Sequence, residues 1–216
     1  PDSLPGYYGI AAGSWKHWCN VWDLDYEWVK ARFDQASYEE GKDQVPAMEL
    51  RGITVSRWID GVLEPAENMA QKAPIKAMFM WGHAPNSQTR GFEMKKAMEA
   101  LDMLVIVDPY PTHSAVLHDR KDGVYLLPAS TQFETSGSVT ASNRSLQWRE
   151  KVMDPLYESR SDHMIMYQLA QKLGFGEQLV KNYKMQKVKG LDEPAPEDIL
   201  REINRSVWTI GYTGQS

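Results

Sequence analysis

An α/β fold, a short parallel sheet with flanking helices, is expected for this chain of 216 residues. Three observations lead there. From Ile75 onward the apolar runs IKAMFMW, MLVIVD and VYLLP are short and continuous, as in parallel strands that are covered on both faces. They alternate with two stretches of helical spacing, SQTRGFEMKKAMEAL and PTHSAVLHD. Each run also ends at a glycine, aspartate or proline, where a chain leaving a sheet edge must turn. Together these make a βαβαβ unit.

Taken in order, DLDYEWVKARF carries apolar residues at helical spacing, with Asp23 or Asp25 as its N-cap. QASYEEGKDQVPAMELRG is polar and broken, a loop or spacer. TVSRWIDGVLEP then places Val55, Trp58, Ile59, Val62 and Leu63 on one helical face, and Pro65 stops that helix. Residues 1–70 thus read as a helical lead-in segment and 71–216 as the α/β domain. Beyond VYLLP, the stretch STQFETSGSVTASNRSLQWRE is rich in Ser, Thr and Gly, which suits an ordered polar covering loop or hairpin over 128–150. Two C-terminal helices follow, SDHMIMYQLAQKLG with Gly174 as its stop and PEDILREINRSV with Pro196 at its start.

Composition removes several function classes. A formal net charge of −5 without a basic stripe leaves no electrostatic footprint for nucleic acid. No apolar run approaches the ~20 residues of a membrane span, so a soluble segment with no membrane partner is expected. The chain starts at Pro1 without Met or signal-peptide character, and reads as a fragment of something longer. Its single cysteine, Cys19, excludes a disulfide framework or a thiolate metal site held by this chain alone, and is expected to be a core thiol. The five histidines have no metal-ligand spacing, and no nucleophile elbow is present.

Ligands of open parallel sheets gather beyond the carboxyl ends of the strands, where loops collect. Three segments occupy such positions: Gly82–Gln88, Asp108–Ser114 and Pro128–Arg144. GHAPNSQ offers a glycine and then Ser87 or Asn86 as a helix cap, an arrangement that suits either an anion cradle or a plain tight turn. It lacks the dinucleotide and triphosphate glycine spacings. In VDPYPTHS, Asp108 sits at a strand tip beside prolines that stiffen the turn. Its carboxylate can accept from two adjacent N–H donors, which grips a guanine edge and refuses adenine; a ligand-free Asp-Pro turn fits the same residues. FETSGSVTASNR combines Glu134, Gly137, Asn143 and Arg144, as a site wall or as a solvated hairpin with an internal ion pair.

The succession WGHAPNSQTRG, VIVDPYPTHSA, YLLPASTQFETSGSVTASNRSLQWRE and SRSDHMIMYQLAQKLGFG resembles the large subunit of the tungsten- or molybdenum-dependent formate dehydrogenases. The tail LREINRSVWTIGYTGQS resembles the soluble NAD-linked bacterial branch. The resemblance implies a Rossmann-like sheet and a metal held by two molybdopterin guanine dinucleotides, one of them lying over the turn after Trp81. It places Gly82, His83, Ala84 and Asn86 on the phosphate and pterin side and Asp108 and Thr112 at the guanine end, with Gln132, Glu134, Gly137 and Arg144 ordering the covering loop. It further implies formate oxidation to carbon dioxide and partnership with an iron–sulfur/flavin NAD-reducing beta subunit. The implied location is cytoplasmic, or periplasmic if an export signal precedes. Nitrate reductase-like enzymes and pterin-free scaffold subunits of respiratory complexes share the pattern. The four-cysteine cluster motif, the cysteine or selenocysteine metal ligand followed by histidine, and the active-site arginine cannot be located here, so the metal and the iron–sulfur cluster are expected to bind sequence outside this internal piece. Expressed alone, the chain should therefore show no formate oxidation, which formate-dependent dye reduction by the purified chain measures.

Overall fold

The structure, a computed structural model, describes residues 19–20, 23–37, 53, 57–69, 71, 73–83, 90–141 and 145–206. These fall into two compact units, one within Arg51–Ala129 and the other within Gly9–Leu50 and Ser130–Ser216.

In the first unit, helix α2 (Trp58–Leu63) precedes strand β1 (Ala77–Trp81), helix α3 (Gly91–Ala100), strand β2 (Met103–Asp108), the short helix α4 (His113–Val116) and strand β3 (Val124–Pro128). The three strands form a parallel sheet in the order β1-β2-β3, as the alternation of apolar runs requires. Its core lies on one face, where Met80, Leu104 and Ile106 pack against Trp58, Ile59 and Val62 of α2 and Met94, Ala97 and Met98 of α3. The opposite face buries Val105 and Val107 but leaves Phe79 47% and Tyr125 55% exposed. Of the helical face expected at the start of this unit, Trp58, Ile59 and Val62 are buried as expected, whereas Leu63 is exposed. Leu63 is the last residue of α2, and Pro65 turns the chain away there. Val55 lies outside the described residues.

The C-terminus of α3 is closed by a cation. Arg120 donates from Nη1 to the carbonyls of Met98, Glu99 and Leu101, and from Nη2 to those of Asp102 and Asp122. A guanidinium there satisfies carbonyls that have no helical partner and lies at the negative end of the helix dipole. Gly123, at φ 66°, is required beside it, because a Cβ would come 2.4 Å from the Asp102 carbonyl oxygen. His118 is buried within the same turn and accepts at Nδ1 from the Arg120 backbone N–H at 3.3 Å.

In the second unit, helix α1 (Tyr26–Ser37) is capped by Asp25, which accepts from Glu27 N at 2.7 Å and Trp28 N at 3.1 Å. Asp23 instead pairs with Lys181 at 2.8 Å. Cys19 is fully buried against Val29, and burial pushes its thiol up from the ordinary value. The Ser, Thr and Gly-rich stretch forms an antiparallel hairpin of β4 (Gly137–Thr140) and β5 (Leu146–Arg149). Helix α5 (Asp162–Lys172) is capped by the Ser161 hydroxyl and ends at Gly174, φ 81°. After helix α6 (Gly176–Leu179) comes a hairpin the apolar pattern does not announce, β6 (Met185–Val188) and β7 (Leu191–Pro194). Its turn residues Lys189 and Gly190 both have positive φ, the geometry that suits a two-residue hairpin turn. Helix α7 (Pro196–Ser206) starts at the expected proline. No helix among the described residues is long and apolar enough to cross a membrane.

Burial, aided by the Arg120 and Lys95 charges and opposed by those of Glu99 and Asp119, holds the His118 imidazole below its ordinary value. The unfolded chain therefore takes up this proton more readily than the folded one. The stability contributed by neutral His118 is complete above about pH 6.5 and is lost as pH falls below it. His118→Asn retains an acceptor for Arg120 N–H without the titration, so the fall in melting temperature of the chain between pH 7.5 and pH 5.5 should be shallower in the variant.

Candidate functional site

The register of the parallel sheet sets the level at which its loops emerge. Trp81 is opposite Val107 and Asp108 is opposite Pro128, so the ends of all three strands meet on one edge of the unit. The Gly82 N–H still donates to the Val107 carbonyl at 2.8 Å, and φ then turns to 56°. Among the described residues, a Cβ built at Gly82 would meet nothing within 4 Å. No described residue crowds the backbone on that side, where a glycine lets a ligand approach closely. Ala84 and Asn86, with Ser87, lie outside the described residues. The N-cap position of α3 belongs to Arg90, in the left-handed region at φ 70°, and not to Ser87 or Asn86. The Arg90 guanidinium meets Asp60 at 2.6 Å and both carboxylate oxygens of Glu93, so carboxylates and not a cap side chain brace this end of the helix.

At the tip of β2, Asp108 Oδ1 accepts from the Tyr110 N–H at 3.3 Å, and Oδ2 is 3.5 Å from the Thr112 hydroxyl. Thr112 Oγ1 is 3.1 Å from Ser114 Oγ, and Ser114 donates to the His83 carbonyl at 2.8 Å. A chain of polar contacts thus runs from the β2 turn to the β1 turn. Ser114 is fully buried. In the sequence it is one hydroxyl among many, and the signal that could have found it is the T-x-S spacing across the start of a helix. Against Asp108 lies an open cavity of about 250 Å³, lined also by Pro109, Tyr110, Pro111, Leu126 and Pro128. Whole-ligand pockets run to roughly 300–1,000 Å³, so this cavity has room for about one planar base.

In the second unit, Glu134 is buried and accepts from the backbone N–H of Thr131 and of Leu156, each at 2.6 Å. Burial acts to raise its carboxyl, but those two donations outweigh it and hold the group below its ordinary value. The stretch is ordered, as expected, and of its two open readings the solvated one does not describe Glu134, whose carboxylate serves the backbone N–H groups of Thr131 and Leu156. Gln132 accepts from Arg149 Nη1 at 2.8 Å, and Gly137 is paired with Arg149 in the hairpin. Arg149 escapes a reading of the sequence because strand pairing brings it there from 17 residues away. Arg144 lies outside the described residues.

Comparison with known proteins decides the family. The molybdopterin oxidoreductase family profile matches residues 31–172. The chain belongs to the molybdopterin oxidoreductase family. It is 33% identical over 158 residues to a protein of Halobacterium salinarum named as the catalytic subunit of a dimethyl sulfoxide reductase, covering 68% of this chain and 18% of that one. It is 32% identical over 155 residues to the alpha subunit of the F420-dependent formate dehydrogenase of Methanocaldococcus jannaschii, covering 71% and 19%. A Staphylococcus aureus protein named as a formate dehydrogenase is 33% identical over 206 residues, covering 95% of this chain and 16% of the relative. The matched region is thus between 16% and 19% of the length of these relatives.

The family implies a molybdopterin–metal cofactor. The described residues of this molybdopterin oxidoreductase chain fit part of such a group: a base-sized cavity with a carboxylate at its edge, and a Gly82 that no described residue crowds. Glu134 offers no acid catalyst, because both of its oxygens are engaged by backbone donors and its pKa is displaced downward. Glu134→Gln puts an amide N–H against one of those donors, at about 1–3 kcal/mol. The chain should melt lower, and in the full-length protein cofactor occupancy should fall while turnover per bound metal stays near the parent value. Metal and pterin content measured beside activity separates the two.

Proposed function

We propose that this chain is part of the catalytic subunit of a formate dehydrogenase and that it holds one molybdopterin guanine dinucleotide. The observation that carries the reading is Asp108, a carboxylate whose contacts among the described residues are long, 3.3 and 3.5 Å, beside a base-sized cavity at the end of a parallel strand. An anionic acceptor normally draws N–H donors in to about 2.7–2.9 Å, so these contacts leave it capacity for a ligand. In this reading Asp108 accepts from the ring N–H and exocyclic amine of guanine. The Gly82 backbone, with His83, Ala84 and Asn86, borders the phosphate and pterin side, and Gln132, Glu134, Gly137 and Arg144 order the covering segment.

In the whole protein, formate gives up two electrons and a proton to become carbon dioxide, and the bound tungsten- or molybdenum–pterin group supplies the redox chemistry. An iron–sulfur cluster elsewhere in the protein, together with an NAD-reducing iron–sulfur/flavin partner, would carry the electrons onward, in the cytoplasm. What supports formate over other substrates is the extent of the likeness, since the Staphylococcus aureus relative named for formate aligns over 95% of this chain. The second reading is an S-oxide reductase, favoured by the Halobacterium salinarum relative. Formate oxidation and sulfoxide reduction assayed side by side on the full-length protein choose between them.

Asp108→Asn replaces one acceptor by a donor facing a donor, at about 1–3 kcal/mol. The full-length variant should carry less guanine nucleotide per protein than the parent, with the melting temperature of the cofactor-free protein unchanged. Unaltered loading together with unaltered activity would make Asp108 a turn residue only.

A further inference from the structure

We infer that Ser114 is a specificity-determining residue, which keeps the Asp108 carboxylate open as a double acceptor by drawing the Thr112 hydroxyl proton away from it. This rests on the reading that Asp108 receives a base, and goes beyond it by assigning the selectivity to a buried residue that would itself never touch the base.

A count of protons leads there. A serine or threonine hydroxyl has one proton to donate and two lone pairs to accept with. The Ser114 hydroxyl is fully buried, 2.8 Å from the His83 carbonyl oxygen. A carbonyl can only accept, so this contact takes the Ser114 proton. Toward Thr112, 3.1 Å away, Ser114 is then an acceptor. The single Thr112 proton has two possible acceptors, Ser114 Oγ at 3.1 Å and Asp108 Oδ2 at 3.5 Å, and the second distance is at the limit of a hydrogen bond. With Ser114 in place the proton is held on the nearer oxygen. Among the described residues Asp108 then keeps Oδ2 free, and Oδ1 has only the 3.3 Å contact from Tyr110 N–H.

The His83 carbonyl fixes the direction of the whole chain of contacts. It lies at the end of β1, so the polarity of the β2 turn is set by the neighbouring strand. Two free acceptors select a base edge with two adjacent N–H donors, as in guanine, over one with a single donor, as in hypoxanthine. Without Ser114, the Thr112 proton has no acceptor among the described residues but Asp108, and Oδ2 then gives one of its two lone pairs to Thr112 and draws a base N–H less strongly.

The experiment uses the full-length, cofactor-free protein, with guanosine diphosphate and inosine diphosphate as probes in titration calorimetry. The parent should favour the guanosine probe by roughly 10-fold or more, the worth of one hydrogen bond to a charged group. Ser114→Ala should reduce that preference to about 3-fold or less. Adding Thr112→Val to Ser114→Ala removes the competing proton and should restore most of the preference. Recovery of selectivity in the double variant supports the inference, because a merely structural Ser114 gives no reason for a second deletion in the same turn to restore it. A parent that does not distinguish the two probes overturns the base-binding reading of Asp108 and this inference with it. A parent that distinguishes them, with Ser114→Ala doing so equally well or the double variant failing to recover, overturns this inference alone.

Discussion

The parallel pairing of β1, β2 and β3 is the constraint on which the candidate site depends. With Met80 level with Ile106 and Ile106 level with Leu126, the sheet has no freedom to offset its loops. A one-residue slip of β2 would send Leu104 and Ile106 away from α2 and α3 and bring Val105 and Val107 inward, exchanging its two faces. The same slip would turn the Asp108 carboxylate to the other side of the sheet. Burial of apolar surface at one end of these strands thereby fixes the position of a charged group at the other.

Where apolar packing is thinner, buried acceptors take over as the organising contacts. In the second unit Glu134 ties Thr131 to Leu156, and Asp198 ties the Lys184 backbone to α7. Glu193 accepts from the Ser161 hydroxyl at 2.7 Å and meets His163 at 3.1 Å, joining β7 to the N-terminus of α5. The Ser161, His163 and Glu193 trio has the residue types of a hydrolytic triad but not its arrangement, because one imidazole nitrogen, Nε2, faces both of the others. Ser161 is occupied as a helix cap, and the cluster is structural. Burial acts to raise the Glu193 carboxyl, and the His163 and Ser161 contacts overcome it, so the group lies below its ordinary value. Each of these carboxylates takes at least one donor from a distant part of the chain: Leu156 for Glu134, Lys184 for Asp198 and Ser161 for Glu193.

The chain's own amino-acid order determined the alternation of strands and helices. The run MLVIVD is too short for a helix and too continuously apolar for a one-sided strand, and it is buried on both faces, whereas the outer runs leave Phe79 and Tyr125 exposed; stops at Pro65 and Gly174 act through local sterics. It also determined that Asp108 ends a strand in a stiff turn, since the strand run and the prolines are contiguous. Tertiary structure alone decided which partners those residues meet. Ser114 reaches the His83 carbonyl across 31 positions, Leu156 reaches Glu134 across 22, and Gln132 reaches Arg149 across 17. Hydrophobic periodicity reports which face of an element is buried, but a hydrogen bond between loops is set by the register of strands and by the direction of single protons, neither of which leaves a repeating mark in the sequence.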